Sequence, residues 1–399
     1  MRRISLCSKE QCTGCMACYN ACKHNAISIE KDKEGFSAPR INDEKCLKCG
    51  QCQSVCPVMN PLQPKDYIQH GYACWNKNKK IVKNSSSGGL FTSLAETILS
   101  EGGTVIGAAY DDHLVVRHTT AKNFEELEKL KFSKYVQSET GLIYREIKKI
   151  LIRGEKVLFV GTPCQVAGLV KFLQKDYDNL ITVDFVCHGV PSPLIFQEYK
   201  KWLENKYKSK LISFTFRDKR WSWMSFNTKA TFQNGTTYYG TWFKDKFLRL
   251  FLGELISRKS CYHCNYCNMN RPSDITIADF WGLKFKSGET ANYNDTGISL
   301  ALINSNKGEL IFENSKKSLF HYDRSCDEIK NSQRSFTSPW NEPFERNLFW
   351  KDFQSMDFNS VLKKYAKEKK TPIVFKIKQI LGRNIISNTI CKIVKIVYK

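Results

Sequence analysis

Two cysteine runs near the start constrain this chain more than any other feature. Cys12, Cys15, Cys18 and Cys22 read C-x2-C-x2-C-x3-C, and Cys46, Cys49, Cys52 and Cys56 repeat the run, with Pro57 next. Three thiolates two residues apart wrap a short loop around one face of a cubane, and the fourth ligand must come from elsewhere. In this spacing the distal cysteine of each run serves the other cluster. The pattern predicts two [4Fe–4S] clusters, one on Cys12, Cys15, Cys18 and Cys56, the other on Cys46, Cys49, Cys52 and Cys22. The crossing ties the two halves together and keeps the clusters close, which suits an electron relay. Lys23 follows Cys22 where proline is usual, a change that removes no ligand. Zinc knuckles use four-ligand pairs rather than eight cysteines in this run. Residues 26–29 and 36–41 read as short strands around Lys33-Glu34-Gly35.

The chain has 399 residues and 17 cysteines. Disulfide frameworks belong to small secreted domains. Here the start has no apolar stretch of the kind a secretory signal carries, and the cysteines cluster at two-residue gaps, so metal is the expectation. No run approaches the roughly 18 apolar residues of a spanning helix, which points to a cytoplasmic protein. The formal net charge is +23, compatible with acidic partners, anionic cofactors or a membrane surface. No helix-turn-helix, zinc-finger or RNA-binding signature accompanies it, so nucleic acid is not expected as a partner.

Residues 57–66 hold three prolines and read as a linker. Beyond them strand and helix alternate. A helix over 90–100 follows Ser85-Ser86-Ser87-Gly88-Gly89, strands are expected at 104–110, 156–160 and 180–186, and helices at 140–152 and after Pro163. From 211 to 240 strands succeed one another with turns such as Asn234-Gly235, an antiparallel signature. The expected fold class is α+β / α/β: a ferredoxin-type two-cluster domain (1–60), a mixed α/β flavin- and cluster-binding domain (67–340), and a basic helical C-terminal region (341–399). The Ser/Gly loop can cradle an anion at a helix start, or simply begin a capped helix.

A second set of cysteines is scattered. Cys164 and Cys187 stand at strand ends, and Cys261, Cys264 and Cys267 form C-x2-C-x2-C. Ligands gather at strand ends of open α/β sheets. Two strand-end cysteines plus a C-x2-C pair make four thiolates for a third cubane, with Cys267 able to replace either strand-end cysteine. A zinc site, or Cys164 as a helix-start nucleophile, are the competing readings.

These body motifs, in order, resemble the beta-subunit family of coenzyme F420-reducing hydrogenases and dehydrogenases. The residues that carry the likeness are Ser87-Gly88-Gly89, Ser133 to Ser138, Gly161-Thr162-Pro163-Cys164-Gln165, Cys187-His188-Gly189, Phe216 to Lys219, and Cys261 to Trp281. The likeness spans about 70–330. It implies FAD and a [4Fe–4S] cluster in the body, the flavin exchanging a hydride with a deazaflavin and single electrons with clusters. It places Ser87, Gly88, Gly89, Ser133, Lys134 and Tyr135 near the flavin, and Cys164, Cys187, Cys261 and Cys264 on the cluster. Lys134 there would stabilise an anionic reduced flavin; a solvated surface lysine is the plainer reading. Related bacterial chains look like oxidoreductases encoded near polysaccharide-synthesis functions.

From 369 to 399 there are eight basic residues and no acidic one, with recurring Ile, Val and Leu. The tail reads as an interfacial helix on the inner face of a membrane or as a helix docked on protein. Cys7, Cys74, Cys326 and Cys391 have no ligand spacing and read as packing residues. His188 and His263 flank ligand candidates as ordinary polar histidines. Arg217, Lys219 and Arg220 read as an anion-binding set or a solvated charge run, and Trp221 and Trp223 as flavin-packing or core residues. No residue is singled out as catalytic. The expected function is an iron–sulfur flavoprotein oxidoreductase that works with a redox partner protein or a small hydride carrier. The alternatives are a non-catalytic electron-transfer subunit and an iron–sulfur redox sensor.

Overall fold

A computed structural model describes residues 4–220, 222–289 and 296–372. Its first part is built on the cysteine runs. Helix α1 (Ala17–Ala21) follows Cys12 and Cys15 and carries Cys18, the hairpin of β1 (Ile27–Lys31) and β2 (Ser37–Ile41) separates the runs, and α2 (Gln51–Ser54) carries Cys52.

The body is organised by one eight-stranded mixed sheet in the order β13-β3-β12-β11-β7-β6-β4-β5. Its centre is parallel: β4 (Thr104–Tyr110), β6 (Val157–Gly161), β7 (Leu180–Phe185) and β11 (Ile275–Asp279) run the same way. Strand β6 (VLFVG) is apolar throughout, as a strand covered on both faces must be. The flanking strands β5 (Val116–Ala121), β12 (Ser299–Ile303), β3 (His70–Asn76) and β13 (Leu319–Arg324) pair antiparallel.

Helices cover both faces. Against one lie α4 (Leu90–Ser100), α5 (Phe124–Leu130) and α10 (Asn306–Ser315), with the short α3 (Lys79–Lys83) leading into the Ser/Gly loop. Against the other lie α6 (Ile143–Ile152) and α7 (Pro163–Leu173). In α6 the buried residues are Ile143, Tyr144, Ile147, Ile150 and Leu151, one helical stripe. Thr162 and Gln165 form a capping box at the start of α7, with Pro163 at the first helical position, so this helix must begin where β6 ends. Cys15, Ala17 and Val55 share the α6–α7 core, so the cysteine-rich segment is packed onto the body.

A second sheet of β8 (Leu211–Asp218), β9 (Asn227–Phe232) and β10 (Thr237–Thr241) is antiparallel, and Gly235, at φ 82°, makes the turn between β9 and β10. It shares a core with α8 (Pro193–Tyr207) and α9 (Lys246–Phe251). After α11 (Cys326–Ser332), helices α12 (Glu345–Ser355) and α13 (Phe358–Tyr365) add Phe349, Trp350, Val361 and Leu362 to that core. Residues 345–366 therefore fold with the body and not as a region apart. The basic run after 372, with its membrane reading and Cys391, lies outside the described residues, as does Trp221. Among the described residues no helix is long and apolar enough to cross a membrane.

One ion pair, its arginine buried and its carboxylate partly exposed, ties three parts together. Arg346 of α12 is 1% exposed and grips the Glu34 carboxylate of the β1–β2 turn with both terminal nitrogens, Nη1 to Oε1 at 3.0 Å. It also donates to Ser257 O at 3.0 Å and to Tyr262 Oη at 3.2 Å, beside the C-x2-C-x2-C loop. Removing one partner of a buried pair strands the other. Arg346→Ala should destabilise the protein by about 3 kcal/mol, with a melting temperature several degrees lower, and removing Glu34 as well should restore part of the loss. Full additivity of the two substitutions would show that the pair does not act as a unit.

Candidate metal centres and cofactor edge

Two cavities gather the cysteines of the N-terminal runs. Cys12, Cys15, Cys18 and Cys56 line one, with Gly14, Met16 and Pro39; Cys22, Cys46, Cys49 and Cys52 line the other, with Ala26, Ile27 and Ile41. Each cavity thus takes three cysteines from one run and the last from the other. Among the described residues no group of three or more His, Cys, Asp or Glu is placed to hold a single metal ion. Cys7 needs a correction: read as a packing residue, it lines the first cavity beside Cys12 and Cys56. Its nearness is the main influence drawing both thiols below their ordinary range.

The scattered body cysteines also come together. Cys187 feels the charges of Cys261, Cys164 and Cys264, and Cys261 those of Cys264 and Cys164. The parallel centre of the sheet explains this: β6 delivers Cys164 and β7 delivers Cys187 at its carboxyl edge. Arg271 holds the end of the C-x2-C-x2-C loop, donating to Tyr266 O at 2.7 Å and to the buried carboxylate of Asp184, at the end of β7, at 2.9 Å. Cys267 donates its N–H to Cys264 O at 3.4 Å, and its nearness lowers the Cys264 pKa. Burial pushes Cys164 to about 11, Cys261 and Cys15 to about 12, and Cys187 and Cys18 well above 9. Thiols so buried lose their protons only to a compensating cationic group, as metal-binding cysteines do. The Thr13, Ser257 and Ser260 hydroxyls are buried and bond no oxygen or nitrogen among the described residues.

The first and third groups adjoin. Gly168 of α7 brings the helix against Cys15: a Cβ there would lie 2.9 Å from Cys15 Cβ and 3.0 Å from its sulfur. The Cys164 charge is felt at Cys15. Arg258 spans the seam, 4% exposed, donating to Cys12 O at 2.7 Å, Ser37 O at 3.1 Å and Gln137 Oε1 at 2.9 Å, while Gln137 Nε2 donates to Thr13 O at 3.0 Å. Sequence reasoning missed Arg258, Thr13 and Gly168, and named Gln137 only as part of the Ser133–Ser138 motif.

The residues assigned to a flavin lie along the same carboxyl edge. Ser133 donates its N–H to Ser86 Oγ at 2.8 Å and its hydroxyl at 3.1 Å. Gly88 is corrected as an open anion donor: its N–H already bonds Ser299 Oγ at 2.9 Å, and a Cβ there would meet Cys74 O at 2.6 Å. Ser87 Oγ likewise donates to Ile298 O at 2.8 Å. Gly89 starts α4 at φ 90°, without a side-chain cap. Lys134 is no solvated surface lysine; its Nζ donates to Lys129 O at 3.1 Å and Lys131 O at 2.7 Å. Tyr135 Oη accepts from Arg217 Nη1 at 3.3 Å.

Arg217 and Lys219 are not a solvated run either. Arg217, 2% exposed, pairs with Asp279 at the end of β11 (2.7 Å) and reaches Ser86 O at 3.2 Å. Trp223 Nε1 donates to Asp279 at 2.6 Å and stacks on Trp281 at 4.6 Å. Lys219 donates to Val82 O at 2.8 Å and Thr296 O at 2.6 Å. Arg220 is exposed and lies over the Tyr239 ring. His188 bonds Glu254 and packs on Trp340, 4.4 Å between centroids; His263 is exposed. Cys74 is fully buried in β3, and Cys326 Sγ donates to Gln69 O.

Such a constellation defines an iron–sulfur protein of the oxidoreductase type. Residues 11–60 match the family model for a 4Fe-4S dicluster domain, and residues 154–323 match the model for the C terminus of the coenzyme F420 hydrogenase/dehydrogenase beta subunit. The chain thus holds a segment similar to the C-terminal domain of coenzyme F420 hydrogenase/dehydrogenase beta subunits behind a segment similar to a dicluster ferredoxin domain. Among curated relatives, a coenzyme F420-dependent sulfite reductase of Methanocaldococcus jannaschii is 27% identical over 198 residues, 47% of this chain and 29% of the relative. The polyferredoxin-like subunit of an aliphatic sulfonate oxidoreductase of Pyrococcus furiosus is 43% identical over 47 residues, 12% of this chain and 25% of that subunit. An uncharacterized polyferredoxin-like protein of M. jannaschii is 34% identical over 76 residues, 14% of this chain and 43% of the relative. The chain thus spans less than half the length of each. A chain of the F420-reducing [NiFe] hydrogenase complex from Methanosarcina barkeri is 14% identical, with a TM-score of 0.46 over 78% of this chain and 99% of that one.

Burial lowers Lys134 from 10.5 to about 7, and Lys219 to about 7, where repulsion from Arg217 adds to burial and Asp279 opposes it. The unfolded chain holds both protons up to about pH 10.5, the folded chain only to about 7. The resulting penalty is complete below pH 7 and is relieved as pH rises through that window. Thermal melts of Lys134→Met should show a smaller gain in stability between about pH 7 and about pH 9 than the parent. An unchanged gain would mean that Lys134 keeps an ordinary pKa.

Proposed function

We propose that this chain is an iron–sulfur flavoprotein that moves electrons between a redox partner and a hydride-handling site. Cys12, Cys15, Cys18 and Cys56 hold the first cluster, and Cys22, Cys46, Cys49 and Cys52 the second. Cys164, Cys187, Cys261 and Cys264 hold a third. FAD lies against Ser133, Lys134 and Tyr135. Residues 1–60 form the two-cluster unit and the body from 67 onward carries the third cluster and the flavin. The observation that carries the reading is the contact of Cys15 with α7 at Gly168, which sets the first cysteine group beside the third.

When bound, cubanes supply one-electron stations and a flavin exchanges a hydride pair with single electrons. The chain's own residues position and tune them. Arg258 gives the seam a buried cation that favours thiolate at Cys12, Cys164 and Cys261. The Thr13, Ser257 and Ser260 hydroxyls offer hydrogen bonds to sulfur, which raise a cluster's potential. Lys134 and Lys219, poised near neutrality, favour a phosphate or an anionic reduced ring. The stacked Trp223 and Trp281 supply an aromatic wall beside them. Coenzyme F420, named in the matched family and in the sulfite reductase, is the leading hydride carrier.

A second reading has its own support. The Gly88 amide and the Ser87 and Ser133 hydroxyls are already engaged within the protein, which favours an electron-transfer subunit that feeds a partner without a flavin of its own. Anaerobic purification followed by iron and acid-released flavin analysis separates the two. About twelve iron atoms and one FAD per chain are expected. Eight irons without flavin would favour the second reading, and a protein free of iron would overturn both.

A further inference from the structure

Cys7 precedes the first run and fits neither spacing, yet it lines the same cavity as Cys12, Cys15, Cys18 and Cys56. Two anchors hold it there. The Cys12 N–H donates to Ser8 O at 2.9 Å, closing a turn between Cys7 and the first ligand. Gln53 Nε2 of α2 donates to Ser5 O at 2.9 Å, tying the stretch of chain before Cys7 to the helix that leads to Cys56. The Cys7 thiol therefore faces the same cavity as the sulfurs of Cys12 and Cys56.

We propose that Cys7 is a reserve ligand of the first cluster, placed to take over a coordination position from Cys56 or Cys12. The exchange balances without an outside reagent. The bond from iron to Cys56 Sγ would break, a bond to Cys7 Sγ would form, and the Cys7 proton would pass to the departing Cys56 thiolate. One thiolate replaces another, so the charge and oxidation level of the cluster do not change. A cluster with a fifth thiol at hand recovers from a broken bond before iron escapes. The four cysteines around the second cavity have no such companion among the residues lining it.

The inference rests on the assignment of Cys12, Cys15, Cys18 and Cys56 as ligands, and its test separates the two claims. Anaerobically purified full-length protein is compared with Cys7→Ala, Cys56→Ala, their combination, and Cys15→Ala. Cys56→Ala should keep the parent's iron, with an altered electron paramagnetic resonance signal. The combined variant and Cys15→Ala should each lose about four irons. Cys7→Ala retains all four primary ligands; it should hold full iron but release it to a ferrous chelator several-fold faster than the parent. The second cluster's signal serves as the folding check. If Cys56→Ala loses as much iron as the combined variant, or Cys7→Ala releases iron at the parent's rate, the reserve role is overturned while the ligand assignment stands. If Cys15→Ala keeps all its iron with the second cluster intact, the assignment itself falls, and the reserve role with it.

Discussion

The close approach of α7 to the first cysteine group is the contact on which the rest depends. It requires a glycine at 168, because any Cβ there would press on Cys15 within about van der Waals contact. It also requires α7 to begin at the end of β6, which the Thr162–Gln165 box and Pro163 ensure. The same turn presents Cys164. One helix start therefore positions a body thiol and seats the N-terminal segment beside it. Arg258, Gln137 and the Arg346–Glu34 pair then hold the segment from its other sides.

The energetics of the seam are those of buried charge. Several thiols lie in a water-poor region and resist ionisation together. A metal cluster answers that cost directly, since its iron replaces the protons. Arg258 is the protein's own contribution, a buried cation whose hydrogen-bonding groups meet carbonyls and an amide oxygen rather than a carboxylate among the bonds described. Its charge is left to act on the sulfurs. At the edge proposed for a flavin the balance differs: Arg217 is neutralised by Asp279, while Lys134 sits against carbonyls.

Much of this was legible in the sequence because cysteine spacing is a local signal. The crossing of the two N-terminal runs in space follows the spacing, and strand-end cysteines meet because parallel strands end at one edge. The helices and strands of the body lie within a few residues of their periodicity. What was not legible depends on partners distant in sequence. Gly88 looks like an open loop glycine until Ser299, 211 residues away, takes its amide. Arg217 and Lys219 look like a solvated charge run until the sheet buries them. Cys7 has no spacing at all, and it is bonds at Ser5 and Ser8 that hold its stretch of chain at the cavity. Helices α12 and α13 read as a separate tail because their apolar stripe gives no hint of which core it completes.

The central claim is that three groups of thiols hold three iron clusters, with the first beside the third. An anomalous difference map at the iron edge, from anaerobically grown crystals, tests it most directly. The account predicts three iron peaks, at Cys12/Cys15/Cys18/Cys56, at Cys22/Cys46/Cys49/Cys52 and at Cys164/Cys187/Cys261/Cys264, the first and third being nearest neighbours across Gly168. Iron absent from the body group, or a signal there at the zinc edge alone, would contradict it.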